Sequence, residues 1–156
     1  MKARAISRST FLAALFAAGL CLSQQSSDPW PAASLIEPSA FAATLQSSGK
    51  KPEIICVAFP VLYRSKHIQN ASFAGPGSKA EGIEALKKAV AGTPKDKEIV
   101  LYCGCCPMNH CPNLRPAYRA LAELGYTNVR VLNIPTNMQA DWYSKNYPTE
   151  TGEAAK

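Results

Sequence analysis

Apolar runs are the strongest structural signal along residues 35–150. The run at 54–59 is continuous and lacks the polar alternation of a half-exposed strand, which is typical of a strand that is covered on both faces. Further apolar stretches occupy residues 35–36, 98–102 and 129–132, and the last two include Glu98 and Arg130. Each of the four stretches predicts a strand, and the one at 35–36 is very short.

The segments that separate these runs have apolar residues three or four positions apart, which predicts amphipathic helices. The predicted helices extend from Pro38 to Gly49, from Ser78 to Gly92, from about Asn113 to Leu124 and from Asn137 to Asn146. Ser78 and Glu81 have the spacing of a capping box. Strands alternating with helices of this length predict an α/β fold, with a mainly parallel sheet of about five strands and helices on both faces.

The first 23 residues predict an export signal. Lys2, Arg4 and Arg8 precede an apolar run, Phe11–Leu22, that is short for a bilayer span. We therefore expect an exported, periplasmic protein with no integral membrane span after processing. An uncleaved anchor is one alternative, and lipid attachment at Cys21 is another, although the bulky Leu20 disfavours it.

The remaining chain divides into a linker at 24–34, a single domain at 35–150 and a C-terminal tail at 151–156. The linker is rich in Ser, Gln, Pro and Ala. With 47% apolar and 18% charged residues in a chain of 156, the composition excludes disorder. Removing the three basic residues of the export signal leaves 14 basic residues against 11 acidic ones, a net charge of about +3 that does not indicate a nucleic-acid partner.

Residues 103–112 concentrate the candidate chemistry. They contain four of the six cysteines, together with Met108 and His110, between a predicted buried strand and a predicted helix. A thiol at Cys103 would lie near backbone N–H groups and the positive end of the helix dipole, which favour the thiolate and attract an anionic substrate. Arg115 adds a cation. Disulfides among Cys105, Cys106 and Cys111 are the structural alternative in an oxidising compartment.

Several segments in this order resemble a rhodanese-like, single-domain sulfurtransferase. The resemblance rests on Ile54–Val57, His67–Ala71, Ile99–Cys103, Arg115 with Ala117, Leu124–Val129, Asp141-Trp142 and Tyr147-Pro148. It implies a rhodanese-like fold and an active-site Cys103 that forms a persulfide from a small anionic sulfur donor and passes the sulfur to a thiol acceptor. Gly104 and Arg115 would bind the donor, and no cofactor is required.

The sequence also departs from the family pattern. Cys56-Val57-Ala58 occupies the place of the usual Asp-x-Arg, and eleven residues separate Cys103 from Arg115 where the family has four. The spacing disfavours the related phosphatases. It also leaves Cys111, the cysteine nearer to Arg115, as the second candidate nucleophile after Cys103.

Three further hypotheses follow from the cysteine-rich loop. Cys105, Cys106 and Cys111 could relay sulfur or perform dithiol redox chemistry. Alternatively, the loop could bind Zn(II) or Cu(I), with Cys105, Cys106, His110 and Cys111 as possible ligands. A non-catalytic rhodanese-like binding module is the third. His67 and Trp142 are expected to be structural.

Overall fold

The computed structural model describes residues 28–152, and a five-stranded parallel sheet lies at its centre. These residues contain the strands β1 (Leu35–Ile36), β2 (Glu53–Cys56), β3 (His67–Ile68), β4 (Ser72–Phe73), β5 (Ile99–Tyr102), β6 (Val129–Leu132) and β7 (Thr149–Glu150). The helices are α1 (Pro38–Gln46), α2 (Pro60–Ser65), α3 (Ala80–Ala89), α4 (Leu114–Glu123) and α5 (Met138–Asp141), with short 3-10 helices at Ala32–Ser34, Met108–His110 and Tyr143–Lys145.

The strand order in the sheet is β1-β6-β5-β2-β4, and every pairing in it is parallel. β5 is the middle strand and all four of its residues are buried. β3 and β7 form a separate antiparallel pair. The predicted α/β class, with a mainly parallel sheet of about five strands and helices on both faces, is confirmed.

The element boundaries differ from the predictions where local signals were weak. The run at 54–59 stops being a strand after Cys56, and the last predicted helix ends at Asp141. The expected capping box does not form, because Lys79 is the N-cap residue of α3 and no side chain caps the helix. The two-residue strands β3, β4 and β7 and the one-turn-and-a-half helix α2 were not predicted.

The second half of the predicted linker is part of the domain, so that prediction was wrong from Asp28 onward. Trp30 is buried and its ring packs edge-on against Tyr118, with 5.6 Å between the ring centroids. Asp28 forms an ion pair with Arg115 at 2.6 Å. The segment packs on the domain although it is mostly polar, because burying one large aromatic side chain removes a large apolar area from water.

The predicted export signal at 1–23 and most of the tail at 151–156 lie outside the described residues. Within residues 28–152, no helix is both long enough and apolar enough to cross a membrane.

Candidate active site

Cys103 follows directly after the central strand β5, at the carboxyl edge of the parallel sheet. Its side chain lines a cavity of about 370 Å³ next to the end of β2. The cavity is lined by Cys56, Ala58, Leu62, Tyr63, Ser65, Lys66, Tyr102, Cys103, Gly104, Cys105, Asn137, Met138, Gln139 and Tyr143. Ligands of open α/β sheets bind at this edge, so the thiol lies where the fold presents reactive groups.

The enlarged loop folds back on itself and brings three thiols together. The Sγ atoms of Cys103, Cys105 and Cys111 all lie within 4.8 Å of one another, and we call these residues the thiol cluster. The Sγ atoms of Cys103 and Cys105 are 3.2 Å apart. All cysteines between residues 28 and 152 are free thiols in this structure. The two cysteines that the sequence offered as rival nucleophiles therefore belong to one site.

Long-range packing holds the loop in this shape. Gly104 has a φ of 79°, and a Cβ atom there would lie 2.0 Å from Cγ of Met138. Met108 is buried, and its backbone N–H donates to the carbonyl of Ile134 at 2.8 Å. Glycine is thus required at position 104 both for the left-handed turn and for the close approach of Met138. Gly104, which was predicted to contact the donor, lies in the cavity wall and also has this packing role.

Asn113 is a site residue that the sequence reasoning missed. It is completely buried, its amide Nδ2 donates to Sγ of Cys103 at 3.2 Å, and its Oδ1 accepts from the backbone N–H of Ser78 at 3.0 Å. Gly77 allows the two backbone segments to approach this closely, because a Cβ atom at Gly77 would lie 2.2 Å from the backbone carbonyl oxygen of Asn113. A buried amide with both ends satisfied is a fixed donor, so Asn113 orients the thiol of Cys103.

The resting state of Cys103 is the opposite of the one expected from its position near a helix terminus. The hydrogen bond with the Cys111 thiol, followed by burial, raises the pKa of Cys103 far above its ordinary value. The Asn113 amide and the backbone N–H of Cys105 lower the pKa by less. Because desolvation penalises the charged form, burial favours the thiol of Cys103 over the thiolate. Burial likewise raises the pKa of Cys106 to about 11.

Arg115, which the resemblance assigns to donor binding, makes its contacts away from the thiol of Cys103. Its guanidinium pairs with Asp28 and donates to the carbonyls of Asn109 at 2.7 Å and Cys111 at 3.2 Å. It is absent from the cavity wall, where Lys66 is the one charged residue among the described lining residues. Eleven residues separate Cys103 from Arg115, and the arginine binds backbone carbonyls of this loop instead of lining the cavity.

The possible metal ligands also differ from the predicted set. Cys105 and Cys111 are in the thiol cluster as expected, but the third member is Cys103. The Nδ1 atom of His110 lies 2.8 Å from Oδ1 of Asn109, and Cys106 contacts Cys105 at 3.4 Å but lies outside the thiol cluster. His110 is exposed in the 3-10 turn Met108–His110 and is not among the residues whose ligand atoms cluster.

The family profile of the rhodanese-like domain matches residues 38–134, more than half of the chain. This chain belongs to the rhodanese-like domain family. A search of curated proteins finds no match.

Solved structures give the same rhodanese-like fold at low identity. The Alr3790 protein from Anabaena sp. superposes with a TM-score of 0.58 at 19% identity, over 74% of this chain and 82% of that chain. The polysulfide-sulfur transferase homodimer from Wolinella succinogenes gives 0.54 at 17% identity, over 75% and 77%. The thiosulfate sulfurtransferase from Pseudomonas aeruginosa gives 0.55 at 23% identity, over 76% of this chain and 19% of that chain.

Two residues of the rhodanese-like pattern lie in packed, structural positions. Both ring nitrogens of His67 are engaged, Nδ1 with the carbonyl of Tyr63 at 2.7 Å and Nε2 with Glu150 at 3.2 Å. Trp142 is completely buried, and its indole N–H donates to the carbonyl of Pro148 at 3.1 Å. Neither side chain is in the cavity wall.

Proposed function

We propose that this protein is a sulfurtransferase in which Cys103 carries sulfane sulfur as a persulfide. One observation carries the proposal: in a rhodanese-like fold, the thiol that follows the central strand lines a cavity large enough for a small sulfur donor. Rhodanese-like domains without catalytic activity exist, and a free thiol in a ligand-sized cavity favours the catalytic alternative over a binding module.

The reaction begins with the Cys103 thiolate attacking the outer sulfur of a thiosulfate-like donor. The donor's S–S bond breaks, sulfite leaves with the bonding electron pair, and a persulfide remains on Cys103. A thiol acceptor then attacks the outer sulfur of the persulfide and removes it, which regenerates the Cys103 thiolate. The proton that Cys103 loses before the first attack passes to solvent.

Lys66 is the residue that we assign to the anionic donor in place of Arg115. It follows α2 and lines the cavity, with its Nζ atom 5.0 Å from the ring centre of Tyr143. Cys56 and Ala58, which stand where the family has Asp-x-Arg, contribute no charge to the same wall. A single cation in an otherwise uncharged cavity supports binding of a small anion.

Sulfur transfer from thiosulfate to a small thiol tests this function. Cys103→Ser should abolish transfer, because a serine hydroxyl has essentially no anionic fraction at neutral pH. Lys66→Ala should raise the KM for thiosulfate, whereas Arg115→Ala should act mainly through loop order. Asn109→Ser, an exposed change in the same loop, is the matched control. Full transfer by Cys103→Ser would reject the proposal.

A second candidate function is binding of a soft metal ion, Zn(II) or Cu(I), by the thiol cluster. The three clustered sulfurs favour it, since thiolates are preferred ligands of both ions. Metal analysis of the purified protein should then find close to one equivalent, and Cys105→Ser or Cys111→Ser should release it. Metal-free protein that still accepts sulfur would reject this alternative.

We further propose that the protein acts in the periplasm. The basic residues Lys2, Arg4 and Arg8 and the apolar run Phe11–Leu22 support export. Expressed in a bacterium with its full N-terminus, the protein should be recovered outside the cytoplasm without residues 1 to about 23. An unprocessed cytoplasmic product would contradict this.

A further inference from the structure

The thiols of Cys103 and Cys105 are close together but differ sharply in exposure. Their Sγ atoms are 3.2 Å apart, yet Cys103 is only 3% exposed while Cys105 is exposed. Gly104 lies between them with a φ of 79°, a left-handed conformation that glycine adopts without steric cost. A buried sulfur inside the cavity therefore lies next to a sulfur that an external thiol can reach.

Cys105 is better placed than the other loop cysteines to react at the sulfur of Cys103. Cys111 belongs to the cluster but is completely buried, so a disulfide made with it would be closed to an external reductant. Cys106 lies outside the cluster and contacts Cys105 at 3.4 Å. Only Cys105 among the described residues combines access from solvent with membership of the thiol cluster.

We propose that Cys105 is a resolving cysteine, which attacks the Cys103 persulfide, releases its outer sulfur as hydrosulfide and leaves a Cys103–Cys105 disulfide. The inference rests on the proposed function, since it begins from the persulfide. It makes the protein a sulfide-releasing reductase of sulfane sulfur as well as a carrier.

The step balances in atoms and electrons. The Cys105 thiolate forms a bond to Sγ of Cys103, and the persulfide S–S bond breaks with its electron pair on the outer sulfur, which leaves as hydrosulfide with one proton. The two cysteine sulfurs are oxidised to a disulfide, and the sulfane sulfur is reduced to sulfide. A dithiol reductant, either a protein dithiol or a small molecule, then attacks the exposed Cys105 sulfur and restores both thiols.

A single-turnover experiment tests the proposal. The reduced full-length protein is freed of reductant and given thiosulfate, after which intact mass, disulfide position and released sulfide are measured. The wild type should release close to one sulfide per protein and lose two hydrogen atoms in mass, with the disulfide mapping to Cys103 and Cys105. Cys105→Ser should keep one added sulfur atom and release sulfide at least about tenfold more slowly.

Matched variants separate the possible outcomes. Asn109→Ser controls for disturbance of the loop, and Cys105→Ala replaces Cys105→Ser if the latter fails to fold. Sulfide release that persists in Cys105→Ser, or that is lost in Cys111→Ser or Cys106→Ser instead, would overturn the assignment of Cys105. If no protein, Cys105→Ser included, gains sulfur, then the proposed function fails. A stable persulfide on both wild type and Cys105→Ser would reject the resolving role alone.

Discussion

At the scale of single residues, the reactivity of Cys103 depends on a balance between two neighbours. The hydrogen bond with the Cys111 thiol, together with burial, raises the pKa of Cys103, whereas the Asn113 amide lowers it. Because the raising contributions dominate, the thiolate is a minor species at neutral pH. The substrate therefore meets a thiol that must first lose its proton.

This balance predicts the pH dependence of persulfide formation. The rate should rise by about tenfold per pH unit from pH ~6 to pH ~9, because it follows the thiolate fraction below a raised pKa. Cys111→Ala removes the largest raising contribution and should move the profile to lower pH. Asn113→Ala removes a lowering contribution and should move it to higher pH.

Stopped-flow measurement of persulfide formation at a series of pH values checks both shifts. Asn109→Ser should leave the profile in place, since that side chain contacts His110 and not the thiol cluster. Asn113→Ala also leaves the N–H of Ser78 without its partner, so stability is measured alongside. Profiles that stay unshifted in both alanine variants would contradict the balance described here.

At the scale of elements, the strands with apolar runs could be predicted, including the short edge strand β1, whereas β3, β4 and β7 could not. β5 is buried at all four of its residues, and β2 and β6 are each buried at three of four, which leaves mostly apolar runs in the sequence. β3 and β4 have only two residues each, too few for any hydrophobic period to develop. Their pairing depends on contacts with distant chain segments, which local patterns do not record.

The same limit applies to the candidate site. The place of Cys103 could be predicted, since it depends only on the end of a strongly apolar strand. The proximity of Cys111 could not, because it depends on the loop closing through contacts such as Met108 with Ile134 and Arg115 with Asp28. Asn113 has no local signal at all, since its two partners are ten and thirty-five positions away.

The segment before β1 should contribute to stability as an element of the domain. Trp30→Ala removes a side chain that is 6% exposed and packs on Tyr118 of α4. We expect the free energy of unfolding to fall by about 3 kcal/mol, the usual cost of deleting a buried aromatic side chain. Urea unfolding followed by circular dichroism measures this loss.

Val61→Ala, at a site that is 66% exposed on α2, is the control and should change the unfolding free energy by less than about 0.5 kcal/mol. If Trp30→Ala were as stable as that control, the segment from Asp28 would be a linker after all.

At the scale of the whole molecule, buried thiols predict a loss of stability in alkali. Burial raises the pKa of Cys56 to about 12, whereas a thiol in the unfolded chain ionises near pH ~8.5. Above that lower value the unfolded chain releases a proton that the folded protein keeps, so the free energy of unfolding falls as pH rises. The decrease should approach about 1.4 kcal/mol per pH unit for each such group.

Urea unfolding at several pH values between pH ~7 and pH ~10.5 checks this slope. Cys56→Ala should have a shallower slope above pH ~9, by about one group's contribution. Val57→Ala, a change at the adjacent buried position, should lower stability by the same amount at every pH, because it removes no titrating group. Equal slopes for the two variants would show that folding does not raise the pKa of Cys56.

The position of the sulfur atom that the protein accepts tests most directly whether Cys103 carries the sulfane sulfur. The reduced protein is treated with thiosulfate, its thiols and persulfides are blocked with an alkylating agent, and the peptides are examined by mass spectrometry. We use the Cys105→Ser background, in which the persulfide should persist. We expect one added sulfur on the peptide at Cys103, and none when Cys103→Ser is combined with Cys105→Ser. Sulfur found on Cys111 instead, with Cys103→Ser still fully able to accept it, would show that Cys103 is not the sulfur carrier.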